Sequence, residues 1–134
     1  MTLRHIAPRR WALLWVALGH VGMAAWVSDP RLTLDPARAI LFESMPIPVR
    51  VALWASAALA VAIGALWPRM ETAAYVVAVV MPLERAAGHA WSWAHHLLPG
   101  GPPGDRLGWG PALLWLSVAA LIILVGRSTT QEGV

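Results

Sequence analysis

Long uncharged apolar runs decide what this chain can fold into. Residues 11–27, 51–67 and 111–126 carry no Arg, Lys, Asp or Glu, and a further uncharged run opens at Thr72. A bilayer hydrocarbon core about 30 Å thick needs about 20 helical residues, with about 17 as the lower limit. The first two runs meet that requirement once their Trp and Arg flanks are counted, and the last meets it when Trp109 and Arg127 extend it into the interfaces. Composition points the same way, with 58% of residues hydrophobic, 13% charged and a mean hydropathy of +0.60. An ordinary globular chain carries roughly a quarter charged residues, so too little polar surface exists here to cover a body in water. The expectation is an all-α polytopic membrane protein whose principal partner is the lipid bilayer.

The third run is the one that needs argument. Its uncharged part, residues 72–83, rises only about 18 Å as a helix and cannot cross alone. To cross, the helix must continue through Glu84 and Arg85 as far as residue 97, which places Pro82, Glu84, Arg85 and His89 at or near membrane depth. Pro82 removes one backbone hydrogen bond and is the expected kink. The alternative is a half-span that breaks at Pro82, followed by an interfacial helix carrying Trp91 and Trp93. The continuous kinked helix is the preferred reading, giving one domain of four spans, about 11–27, 51–67, 72–97 and 109–126, in an antiparallel bundle.

Connections refine the layout. Only residues 68–71 separate the second and third spans, which demands a tight antiparallel hairpin. Between the first two spans, Asp35-Pro36 reads as an N-cap followed by a first helical residue and opens a short interfacial helix at 37–44, lying on the membrane surface. Met45-Pro46-Ile47-Pro48 then feeds the second span, and 99–104 form an irregular Pro- and Gly-rich loop before the fourth. Trp11, Trp26, Trp54, Trp67, Trp91, Trp93 and Trp109 fall near span ends, as an aromatic belt requires. Ala55, Ala58, Ala62 and Ala65 recur at helical spacing and predict a small face that lets the second span sit centrally, although the same face would serve self-association.

Arginine asymmetry sets the expected orientation. Arg4, Arg9, Arg10, Arg69 and Arg127 fall on one side and Arg31, Arg38, Arg50 and Arg106 on the other, a small bias that keeps both termini cytoplasmic in a bacterial inner membrane. A cleaved signal peptide is the competing reading of the first 27 residues. It ranks lower, because the apolar stretch is long for such a segment and no small-x-small cleavage site ends it.

Chemistry-bearing residues are few. There is no Cys, which removes disulfides, thiolate metal sites and thiol nucleophiles. All ten basic residues are Arg, a bias that fits a GC-rich coding sequence, and they stand singly rather than in a basic stripe, so nucleic acid is not an expected partner. Glu84 and Arg85 are the strongest candidates, because an ionisable group at bilayer depth faces a partner, a cavity or a pathway. Arg85 and His89 are helical neighbours four apart. They could line an ion or proton path, but a structural tie between helices or snorkelling to an interface is the better reading. His20, between Gly19 and Gly22 in the first span, suits a hydrogen bond to another helix; with His89 it could instead supply the two axial ligands of a haem. No cofactor and no metal site is assigned, since His95-His96 lacks a third ligand at metal spacing. No nucleophile–base set or carboxylate pair appears, so an enzyme is not expected.

In overall layout the chain resembles the small four-span membrane proteins encoded by bacteriophages of high-GC actinobacteria. The likeness rests on the Arg-led first span, the Met45-Pro46-Ile47-Pro48-Val49-Arg50 entry to the second, the Trp67-Pro68-Arg69 turn, and Met81-Pro82-Leu83-Glu84-Arg85 in the third. It implies a holin-like role in membrane permeabilisation or lysis regulation, with homo-oligomerisation or another membrane protein as partner, and it carries over no catalytic residue. The tail 127–134 lacks the strongly charged end common in holins. The alternative functions are a structural or accessory membrane subunit or envelope modifier and, less favoured, a haem-binding electron-transfer subunit.

Overall fold

The structure, a computed structural model, describes residues 8–29, 45–99 and 107–128. Among these the regular structure is entirely helical: α1 (Pro8–Val27), α2 (Ile47–Leu66), α3 (Glu71–Leu97) and α4 (Trp109–Ser128), with a single 3-10 turn at Pro68–Met70 between α2 and α3. The expected surface helix at 37–44 and most of the loop before the fourth helix lie outside the described residues.

Proline punctuates the helices. Pro8, Pro48 and Pro111 sit in first turns, where the missing N–H has no helical acceptor to lose. At the end of α2, Pro68 forces the preceding residue out of the helical region. Trp67 accordingly adopts φ −111° and ψ 107° while its N–H still donates to the Ile63 carbonyl at 2.8 Å. The chain then needs only the 3-10 turn before α3 begins. α1 closes with the Ser28 hydroxyl donating to the Ala25 carbonyl at 2.7 Å. α3 runs unbroken for 27 residues with Pro82 inside it, about 40 Å of helix, and so favours the continuous helix over the half-span.

Contacts between helix ends fix the topology. The start of α1 meets the start of α3, where the Tyr75 hydroxyl donates to the Arg9 carbonyl at 3.1 Å, and the end of α4 meets the same place, with Gly126 against the Tyr75 ring. α1 and α3 therefore run one way and α2 and α4 the other. α1 packs on α2, α2 on α3 and α3 on α4, whereas α1 and α4 barely touch. One core cluster joins Leu13 and Ala17, Val61 and Ala65, Ala74 and Ala78, and Ile122 from the four helices; a second joins Ala24 and Val27, Trp54 and Ala57, and Met81 from the first three.

Packing is inverted relative to a water-soluble protein. Ten of the sixteen buried apolar residues are alanine, while Trp15, Leu114 and Leu124 are more than 60% exposed. Large side chains outside and small ones inside suit a hydrocarbon solvent, in which van der Waals contact rather than expulsion from water holds helices together. α1, α2 and α4 are each long and apolar enough to cross a membrane.

Two expectations need correction. Trp54 belongs to no interfacial belt; it is buried in the bundle. The small face of α2 is also rotated from the one expected. Ala58 and Ala65 are buried, but Ala55 points outward and its place is taken by Trp54, Ala57, Val61 and Gly64. Gly64 matters most, since a Cβ there would fall on the Ala74 methyl and stand 2.9 Å from the Met70 carbonyl oxygen. Overpacking of this kind costs about 1–3 kcal/mol. Gly64→Val is therefore expected to lower the unfolding midpoint in mixed micelles, whereas Gly19→Val, whose Cβ meets nothing within 4 Å, leaves it unchanged; equal behaviour would mean that α2 and α3 are not in close contact.

Candidate functional site

Polar side chains collect at three places along the bundle. At the end where α1 and α3 begin, Glu71 in the first turn of α3 receives Arg9 Nε at 2.7 Å on one carboxylate oxygen and faces Arg10 Nε at 3.6 Å from the other. Glu71 is 8% exposed, so removing its charge would leave two arginines facing each other at a partly buried site. The carboxylate also sits at a helix N-terminus, where the backbone dipole favours negative charge. This cluster is what sequence reasoning missed. Glu71 reads as part of a turn, yet starts of alternate spans share one membrane side, and that signal places it beside the Arg pair.

Arg85 is the second place. It is buried, and its guanidinium carbon lies 5.5 Å from the centroid of the Trp26 ring and 5.9 Å from that of Trp54. Indole faces attract a cation, by about 0.5–1 kcal/mol when exposed and about 2 kcal/mol when desolvated. Three helices contribute: Trp26 from the last turn of α1, Trp54 from the second turn of α2, and Arg85 from α3 just past Pro82. Arg85 thus links the three helices through its ring contacts. Glu84, next to it in sequence, is half-buried about 100° around the helix, and His89, one turn beyond Arg85 on the same stripe, is half-buried too; both have interaction partners of their own.

His20 completes the chain of contacts. Its Nδ1–H donates to the Val16 carbonyl at 2.8 Å, and its ring lies 5.2 Å from Trp54 at an interplanar angle of 60°. Trp54 is therefore shared between His20 and Arg85. His20 also lines an apolar cleft of about 410 Å³ in the gap between α1 and α4, together with Trp15, Trp54, Pro82, Trp115 and Ile122. His89 is not part of that lining. Among the described residues no group of three His, Asp or Glu side chains could hold a metal ion.

A second groove, of about 560 Å³, runs between α3 and α4 from the Arg9–Glu71 cluster past Tyr75 to Val79, Ile123 and Arg127. Of the five residues read from sequence as intramembrane candidates, the structure joins His20, Pro82 and Arg85 around Trp54 and leaves Glu84 and His89 beside them on α3.

Arg85→Ala is expected to cost about 2 kcal/mol or more of stability, read as an earlier unfolding midpoint, whereas the exposed Arg69→Ala changes it by about 0.5 kcal/mol or less. Arg85→Met, which keeps the length and loses the charge, should recover only part of the loss; full recovery would show that the rings hold the side chain by packing alone. No family model, curated protein or solved structure matches this chain.

Proposed function

We propose that this chain is a four-span integral protein of the bacterial inner membrane, with the Arg9, Arg69 and Arg127 end in the cytoplasm, acting as a non-enzymatic accessory subunit or envelope modifier. One observation carries the reading. Arg85, Glu71 and His20 turn inward to partners on their own chain, leaving the outer faces of the helices apolar. A subunit built this way satisfies itself and offers lipid or a neighbouring membrane protein a greasy surface. A pore wall would call for polar groups on a shared face.

Orientation follows from how the arginines are shared between the two ends of the helices. At one end stand Arg9, Arg10, Arg69 and Arg127 against Glu71. At the other, the sequence places Arg31, Arg38, Arg50 and Arg106, of which Arg50 is buried among the helices, so the bias is small. Arginine near span ends stays on the cytoplasmic side. α3 crosses as the fourth span, because its charges are engaged within the bundle and its ends lie beside those of its neighbours.

A holin-like permeabilising role is the second reading. It is favoured by an open groove of about 470 Å³ on the outside of α1 and α2, lined by Ala17, Ala24, Ala55, Ala58 and Ala62, since small residues let helices of another copy approach closely.

Two measurements decide between these readings. The chain has no Cys, so Arg69→Cys and Leu98→Cys can be probed singly with a membrane-impermeant thiol reagent. Leu98→Cys should react in intact spheroplasts and Arg69→Cys only after lysis; labelling of both from one side would mean that α3 does not cross. Induced expression should leave membrane potential and culture turbidity unchanged at full membrane insertion. Abrupt depolarisation would discard the accessory reading in favour of permeabilisation.

A further inference from the structure

We infer that the cleft between α1 and α4 binds a flat aromatic alcohol of the membrane, its hydroxyl donating to His20 Nε2 and its ring lying between Trp15 and Trp115. The inference rests on the membrane reading above and adds a ligand to it.

An unused acceptor is the first argument. A neutral imidazole carries one N–H, and His20 uses it at Nδ1 on the Val16 carbonyl. Nε2 is thereby an acceptor, and it is buried without a hydrogen-bond partner in a residue only 4% exposed. Such an atom is costly until a donor reaches it. His20 stands in the wall of the cleft, and Met23, three residues on, lines it too. An unbranched thioether is the part of that wall that yields most easily to an entering hydroxyl.

The rings are the second. Trp15 on α1 and Trp115 on α4 both line the cleft, and neither is stacked on another ring among the described residues. Indoles favour an offset or edge-on aromatic partner, which a ligand ring between them supplies. No Arg, Asp or Glu among the described residues lines the cleft, so a phosphate or carboxylate head would enter it unmatched. A single hydroxyl meets a single acceptor.

Access is the third. α1 and α4 barely touch, Trp15 is 70% exposed, and a Cβ at Gly19, also in the lining, would meet nothing within 4 Å. The cleft therefore opens sideways to lipid. Its volume of about 410 Å³ falls within the range of about 300–1,000 Å³ usual for ligand sites. A further groove of about 320 Å³ shares Trp15, Val16 and Ile122 with it and runs on past Leu121 and Val125, which gives an apolar chain on the ring a place to lie.

The test is isothermal titration calorimetry of the full chain in nonionic micelles, with protein-free micelles as the blank. Three ligands are compared: 4-octylphenol, its methyl ether 4-octylanisole, which keeps the ring and loses the donor, and 1-dodecanol, which keeps the donor and loses the ring. The phenol should bind saturably and about fivefold or more tighter than either control, the worth of one well-made hydrogen bond. His20→Phe should bring phenol and ether to equal affinity, an effect that a general loosening of the bundle would not produce. Gly19→Leu, whose side chain enters open space in the cleft, should weaken both alike. Equal binding of phenol and ether by the parent chain, dodecanol binding as tightly as the phenol, or a preference for the phenol that survives His20→Phe would each overturn the assignment. So would heat no greater than that of the blank. Helical circular dichroism of each variant separates loss of binding from loss of fold, and the parent's preference for phenol over ether, with Gly19→Leu, still decides if His20→Phe misfolds. The thiol-labelling pattern is independent of all these outcomes, so failure of the cleft as a site and failure of the four-span reading can be told apart.

Discussion

A guanidinium between two indole rings governs how this bundle can be arranged. Arg85 lies just past the middle of α3, and a bare cation there would be costly in an apolar surround. Trp26 and Trp54 set their ring faces against it, and an indole face attracts a cation most strongly where water is excluded. The consequence is geometric. Both rings must be present at once, so the last turn of α1 and the second turn of α2 have to meet α3 at the same level. His20, which also touches Trp54, extends the constraint by nearly two turns along α1. At the opposite end Glu71 with Arg9 and Arg10 does the same job by charge pairing. Two polar ties, near the two ends of α1, thus fix its register against α3 although the pair share little apolar contact.

Between those ties the packing depends on alanine and glycine. Where both solvent and core are hydrocarbon, large side chains gain little by being inside, and the helices gain by approaching closely. Gly64 against Ala74 is the extreme case, with backbone close to backbone. The 3-10 turn at Pro68–Met70 is short enough to require this, because α2 and α3 diverge only as far as three residues allow.

How much of this was legible in the sequence depends on the physics involved. The apolar runs gave the helices, and their ends follow from prolines in first turns and from Pro68 forcing Trp67 extended. The uncharged-run criterion placed the start of α1 at 11 and that of α2 at 51, later than Pro8 and Ile47, because arginine is a good helix former and its charge does not end a helix. Arg85 was legible as a buried tie, since its cost at that depth is a one-dimensional fact. Its partners were not. Trp26 and Trp54 both read as belt residues from their distance to a span end, and only the rotation of α2 about its axis separates an indole facing lipid from one facing a cation. The same rotation decided Ala57 over Ala55, which helical periodicity alone leaves nearly equivalent. Glu71 was hidden because its partner is more than sixty residues away.

On the proposed four-span reading, α3 poses an insertion problem that the neighbouring helices solve. It is the one long helix among the described residues that is not apolar enough to count as a span by composition, carrying Glu71, Glu84 and Arg85 where its neighbours carry Ala and Leu. The turn before it holds three residues and α3 packs along α2, so α2, among the most apolar of the helices, carries α3 with it. The two must insert as a hairpin, with the favourable transfer of α2 offsetting the cost of the charges. That cost falls as soon as Arg85 reaches Trp54, a partner on α2 itself, and falls again when α1 brings Trp26 and Arg9 alongside. The least hydrophobic helix is therefore placed third, after the helices that supply its partners, and α4 closes against it through Tyr75 and Gly126 once its charges are already matched.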